Sequence, residues 1–296
     1  MAGQTRDRDT TAARLLASSV RNSYDPDLDV DWAAPLVEGK FFMPPERVSL
    51  YGTELWERLT PEQRIELSKH ELASIMSVGL WFEIILMQML VRYAYDLDAR
   101  SAHAQYALTE IGDETRHSIM FARAAETLGV PRYGVPRLVH KLAKVFAATA
   151  SGPSMFASVL VAEETTDRLQ RSMMDDGDIQ PLIRAVNRIH VVEEARHVRF
   201  AREEVSRETP KLGKAGLRWH RVRTAVVSYT IVECLVDPRV YRSVGIRASE
   251  GRAAALANPH FRETRRWMAE KIVPFLRGEG LIGGLSEALW RKAHLL

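Results

Sequence analysis

The chain has 296 residues, of which 46% are apolar and 27% charged, a balance that excludes a disordered or fibrous chain and fits one large domain or two small ones. Lys and Arg number 41 against 38 Asp and Glu, and a net charge of +3 gives no ground for a nucleic-acid partner. The single cysteine, Cys234, excludes an internal disulfide or a cysteine-rich metal site, and the mixed-charge opening MAGQTRDRDTTAARLL lacks the apolar run of a secretory leader, so a cytoplasmic protein is expected.

Residues 1–60 read as an ordered arm laid on the rest of the molecule, because Asp25 to Glu46 holds four prolines among Trp32, Phe41 and Phe42. From there to residue 296 apolar residues recur at three and four, strand signals are nearly absent, and an all-α domain over 61–296 is expected. Thr60-Pro61-Glu62-Gln63 starts a helix that runs to about Tyr95. Asp96 to Ser101 reads as a turn, and a second helix reaches about Leu128, where Gly129, Pro131, Gly134 and Pro136 break the pattern. A shorter helix to about Ala150 follows. Ser151-Gly152-Pro153-Ser154 starts another to Met174, Asp175 to Asp178 turns, and Pro181 opens a helix to Glu208. Beyond Pro210 and Gly213 lie a helix to about Val236, a short piece after Pro238 and a terminal helix from near Asn258-Pro259.

Three features are set aside on physical grounds. Gly278, Gly280 and Gly283 spell G-x-G-x-x-G, but no strand precedes them, so they read as a helix-ending loop. Leu72 to Leu90 is long enough to cross a bilayer, yet Glu83 in its middle would be costly there, and a helix buried in protein is the preferred reading. His70, His103, His140, His220, His260 and His294 lack metal spacing to one another and are read as mostly surface or helix-end residues. Arg262-Arg265-Arg266 and Arg218-His220-Arg221-Arg223 are read as solvated faces.

Two pentapeptides carry the chemistry: Asp113-Glu114-Thr115-Arg116-His117 and Glu193-Glu194-Ala195-Arg196-His197. In each, Glu and His three apart leave the same face of a helix. A diiron carboxylate bundle needs two such motifs plus one glutamate from each of two further helices. Residues at equal height in an antiparallel pair are equidistant from the turn. Glu83 and Glu114 have their midpoint at 98.5, inside the first turn, and Glu163 and Glu194 at 178.5, beside the second. At 1.5 Å per residue each lies about 23 Å from its turn, so the four meet at one depth. Glu164 fits that height almost as well as Glu163, whereas Glu71 with Glu114 would put a turn in the apolar run before Tyr95. Glu83, alone in an apolar run, needs protonation, an ion pair or a metal. His190 precedes Glu194 by four, so His190, Glu194 and His197 share about 60° of arc and His190 is a seventh candidate ligand. Imidazole with carboxylate suits iron, with manganese as the alternative. Asp113 and Glu193 are placed to accept the other N–H of an imidazole on the facing helix.

The repeated acid-Glu-x-Arg-His pattern resembles the ferritin-like diiron superfamily, which includes bacterial multicomponent monooxygenases and ribonucleotide reductase small subunits. With His190 added, the order Glu83, Glu114, His117, Glu163, His190, Glu194, His197 is similar to the seven-ligand pattern of AurF-type arylamine N-oxygenases over about residues 60 to 210, and Asn258-Pro259-His260 also matches that family. The resemblance implies a ferritin-like four-helix bundle with extra C-terminal helices, holding two Fe ions (or Mn). It implies O2 and a small-molecule substrate, an external electron donor, a homodimer, and neither nucleic acid nor membrane as partner. The implied reaction carries an aromatic amine through hydroxylamine and nitroso to nitro. Ile75 to Leu80 lacks the polar residues expected for holding an aminobenzoate. The competing expectations are a ferritin-like ferroxidase or iron-binding protein, and a diiron oxidase acting on another organic substrate.

Overall fold

The computed structural model describes residues 7–296. Helix α1 (Arg8–Arg21) starts where the Asp7 carboxylate caps the Thr10 N–H. Helix α2 (Pro61–Tyr95) begins in a full capping box, with Thr60 accepting from Gln63 N–H and the Gln63 side chain accepting from Thr60 N–H. Helices α3 (Ala102–Thr127), α4 (Arg137–Thr149), α5 (Pro153–Met174), α6 (Pro181–Glu208) and α7 (Lys214–Cys234) follow. The four long helices α2, α3, α5 and α6 begin and end within two residues of their expected limits. The carboxyl-terminal region departs from the single helix expected. It contains α8 (Ala248–Ala257), α9 (Pro259–Met268), α10 (Ile272–Gly278) and α11 (Glu287–Lys292). Asn258 both ends α8 and caps α9, its Oδ1 accepting from His260 N–H at 3.0 Å. Gly280 and Gly284, at φ +75° and +63°, break the chain again after α10. No strand occurs among the described residues, and the glycine triplet at 278–283 lies at a helix end as expected.

Hairpins α2–α3 and α5–α6 pack together as a four-helix bundle, and α7 lies against α5. Along the bundle axis the core divides into two apolar clusters. One joins Phe82, Leu86, Met89, Tyr106, Phe156, Leu160 and Phe200; the other joins Leu72, Met76, Met120, Phe121, Leu169, Ile183 and Val186. Between them lies a belt of buried acidic and imidazole side chains on the four long helices. Helix α5 tolerates its position in the middle because its hydroxyls are satisfied internally: Ser158 donates to Ser154 O, Thr165 to Val161 O and Thr166 to Ala162 O. Helix α2 is the described helix long and apolar enough to cross a membrane, and 56% of its apolar window is buried against protein.

The first sixty residues are pinned along the bundle. Phe41 N–H donates to Asp178 O and Gln180 N–H to Phe41 O, while the buried Gln180 side chain bonds Val37 and Lys40. The arm therefore fastens the α5–α6 turn. Two sequence readings need correction. His70 and His103 are buried, His70 bonding Tyr133 and Glu66, and His103 bonding the Tyr93 hydroxyl at 2.7 Å. Arg265 is buried rather than solvated and pairs with Glu233 at 2.6 Å, because α9 packs onto α5 instead of lying free.

Candidate metal centre

The seven residues picked out by spacing come together in the buried belt. They form three overlapping groups whose ligand atoms lie within 4.8 Å of one another: Glu114, His117, Glu194 and His197; Glu83, His117 and His190; Glu163, His190 and Glu194. Glu194 belongs to two groups and bridges them. The alternative left open by height is resolved by charge. Glu164 turns out of the centre into an ion pair with Arg202, Oε1 to Nε at 2.7 Å, while Glu163 faces inward. Glu71 lies apart and accepts from Ser49 N–H at 2.9 Å.

All three histidines are held in the same way. His117 Nδ1 faces Glu114 at 3.3 Å and Glu194 at 3.2 Å, and its Nε2–H donates to Glu193 at 2.8 Å. His197 Nδ1 faces Glu194 at 2.9 Å and Glu114 at 3.1 Å, and its Nε2–H donates to Asp113 at 3.2 Å. The two motifs thus anchor each other crosswise, the acid of one holding the imidazole of the other. His190 is inverted: Nδ1–H donates to Gln170 at 2.7 Å, and Nε2 points at Glu83, 3.6 Å away, and Glu194, 3.7 Å away. Each ring therefore fixes its outer N–H and turns its other nitrogen inward, the orientation of a metal-binding neutral imidazole.

The two outer acids are balanced by arginines. Asp113 pairs with Arg116 and, at 3.3 Å, with Arg196, so these arginines do not neutralise Glu83. Arg196 also donates to Asn22 O, and Tyr24 N–H donates to Glu193, so the arm reaches the belt. Asp113 is held below its ordinary pKa: burial pushes it up, but the His197 hydrogen bond and the charges of His197, Arg116 and Arg196 outweigh burial. Glu83 accepts from Ser118 Oγ at 2.8 Å.

The centre itself is short of positive charge. Burial, then the charges of Glu194, Glu114 and Glu83, lifts Glu163 well above the carboxylate range. Burial lifts Glu83 as well, against the opposing pull of the nearby His190. For His117 burial acts downward, but hydrogen bonds with Glu114, Glu193 and Glu194 raise its pKa well above the ordinary imidazole value. His190 Nε2 and Glu194 Oε2 are buried and lack hydrogen-bond partners. Burying charge costs several kcal/mol per ion unless it is compensated. Fully ionised, the four glutamates would carry four negative charges, which two divalent cations would balance, and the donor set of oxygen and imidazole nitrogen fits iron or manganese.

Sequence reasoning passed over Gln170, Ser118 and Asn187. Gln170 is two helical turns past Glu163 and Asn187 one turn before His190, so heptad and i, i+3 spacing from the acids and imidazoles would have found them. Thr166, Gln170 and Asn187 line a cavity of about 40 Å³ that opens on Glu83, Glu163 and His190 and is otherwise walled by apolar side chains including Leu72, Ile75 and Met76.

An antiparallel helical bundle with two Glu-x-x-His helices and two single-glutamate helices is the arrangement of the ferritin-like class, in which such residues can hold a pair of metal ions. The profile of the p-aminobenzoate N-oxygenase AurF family matches residues 5–280, and the chain belongs to that family. It is also similar to the uncharacterized proteins Rv0885 and MT0908 of two Mycobacterium tuberculosis strains and Mb0909 of Mycobacterium bovis. Each is 26% identical over 298 residues, covering 96% of this chain and 86% of the relative. The family is one of diiron enzymes, and the buried groups described above could hold metal.

Proposed function

We propose that the chain is a cytoplasmic, O2-dependent diiron oxygenase that converts an aromatic amine through hydroxylamine and nitroso to the nitro compound, drawing electrons from an external donor. One metal would sit among Glu114, His117, Glu194 and His197, and the other among Glu83, Glu163, His190 and Glu194. Bound iron would supply the redox chemistry that activates O2. The chain's own residues do the rest. Asp113, Glu193 and Gln170 orient the three imidazoles, Arg116 and Arg196 balance the outer acids, and the apolar clusters above and below exclude water. A homodimer fits the exposed apolar side chains Leu138, Leu142 and Val145 of α4.

The observation that carries this reading is His190. Its inward Nε2 adds a third imidazole beyond the two Glu-x-x-His pairs, on the side that opens on the cavity. A storage ferroxidase gains nothing from a further ligand that slows release of iron. The test is anaerobic loading with ferrous ion, then O2 and a panel of arylamines, with products identified by mass spectrometry. Two metal ions per chain, retained after turnover, together with nitro products support the proposal. Prompt loss of oxidised iron to a chelator with no amine oxidised overturns it in favour of iron handling.

A further inference from the structure

Among the described residues, no lysine or arginine lines the cavity beside the centre. Its polar lining, apart from Glu83, Glu163 and His190, is Thr166, Gln170 and Asn187. Thr166 donates to Ala162 O at 3.0 Å, and the Gln170 amide is held in place by its Oε1, which accepts from His190 Nδ1. Asn187 is different. It is 4% exposed, and its Nδ2 has no hydrogen-bond partner. A buried amide N–H is rarely left unpaired, and one on the wall of a cavity is a donor awaiting an acceptor. Asn187 precedes His190 by one helical turn, about 4.5 Å along α6, so both line the same wall of the cavity.

Two arginines lie beyond a partition. Arg47 and Arg265 line a second cavity of about 20 Å³, and Ile75, Leu169 and Leu235 face both spaces and divide them. Arg265 is already committed to Glu233. A carboxylate placed in the first cavity would have four glutamates nearby, two metal ions that only balance those glutamates, and no guanidinium of its own.

Resting on the N-oxygenase reading, we propose that the substrate is an uncharged single-ring amine bearing a hydrogen-bond acceptor across the ring from its nitrogen, and that Asn187 is the specificity residue that donates to that acceptor. The space of about 40 Å³ is smaller than one ring, and Met76 and Met173 on the wall are the flexible side chains that would yield to admit it.

The test compares 4-aminobenzamide with its charged isostere 4-aminobenzoate, and with aniline, which lacks the acceptor. Each is titrated calorimetrically into the metal-loaded protein without O2 and then assayed for turnover. The wild type is expected to bind 4-aminobenzamide at least about tenfold more tightly than either of the others. Asn187→Leu is expected to raise the KM for 4-aminobenzamide about tenfold with little change in kcat, and so to remove the preference for 4-aminobenzamide over aniline. Equal or tighter binding of 4-aminobenzoate overturns the proposal, as does an Asn187→Leu protein that keeps the wild-type preference for 4-aminobenzamide over aniline. If the amines bind in the expected order but none is oxidised, the oxygenase reading falls and the recognition by Asn187 stands.

Discussion

Glu163 should weaken the metal-free protein and be needed by the loaded one, so one substitution ought to move stability in opposite directions. Its carboxyl is buried, and burial together with Glu194, Glu114 and Glu83 drives it toward the protonated form. Glu163→Met keeps the volume and removes the polar group. Relief of burying a poorly satisfied polar group is worth about 1–3 kcal/mol. At the roughly 2–4 °C per kcal/mol of large domains, Tm in the presence of a chelator should rise by about 2–12 °C. Under anaerobic ferrous loading the same variant should lose one of its two metal ions and most of the stabilisation that metal gives the wild type. Scanning calorimetry with and without ferrous ion, paired with metal analysis, reads both effects. Glu164→Gln is the control, since it breaks the Arg202 pair and should leave two metal ions bound. A Glu163→Met protein that melts at or below wild type in chelator, or that still binds two ions as tightly, refutes the reasoning.

Glu193→Gln keeps an acceptor for His117 Nε2–H but removes the charge, and metal affinity measured by chelator competition should fall about 10–100-fold; an unchanged affinity would show that this acid does not tune the site. Glu71, fully buried against Ser49, has its pKa pushed up by burial from 4.5 to about 7. The folded state then holds this proton more tightly than the unfolded chain, so its contribution to stability is present below about pH 4.5 and is lost as pH rises toward 7, by on the order of 3 kcal/mol in all. Denaturant titrations of Glu71→Gln should accordingly show the variant gaining on wild type from pH 5 to pH 8, and parallel curves would count against it.

The sequence exposed the centre because its residues obey helix arithmetic. Equal distance from two turns brought Glu83 to Glu114 and Glu163 to Glu194, and a one-turn offset added His190. The same arithmetic could not separate Glu163 from Glu164, since neighbours differ by only 1.5 Å in height; Arg202, which decides it, lies eight residues past Glu194 and announces nothing by spacing. Burial was the weaker inference. His70, His103 and Arg265 carry the polar character of surface residues, and only tertiary partners such as Tyr133, Tyr93 and Glu233 make their burial tolerable. In the carboxyl-terminal region, Asn258 serves as an end and a start at once, and a cap with two roles reads from sequence as only one.

The amino-terminal strap bears on how the protein is cut and handled. Its backbone at Asn22 and Tyr24 grips Arg196 and Glu193, of which Glu193 holds the His117 imidazole of the opposite motif and Arg196 balances Asp113, the acid that holds His197. A chain begun at residue 61 would retain all seven inward-facing side chains and lose the brace that aims them. Trimming for expression, or a protease nick ahead of the bundle, would therefore be felt at the heart of the molecule, some of whose alignment is set by residues far from it in sequence.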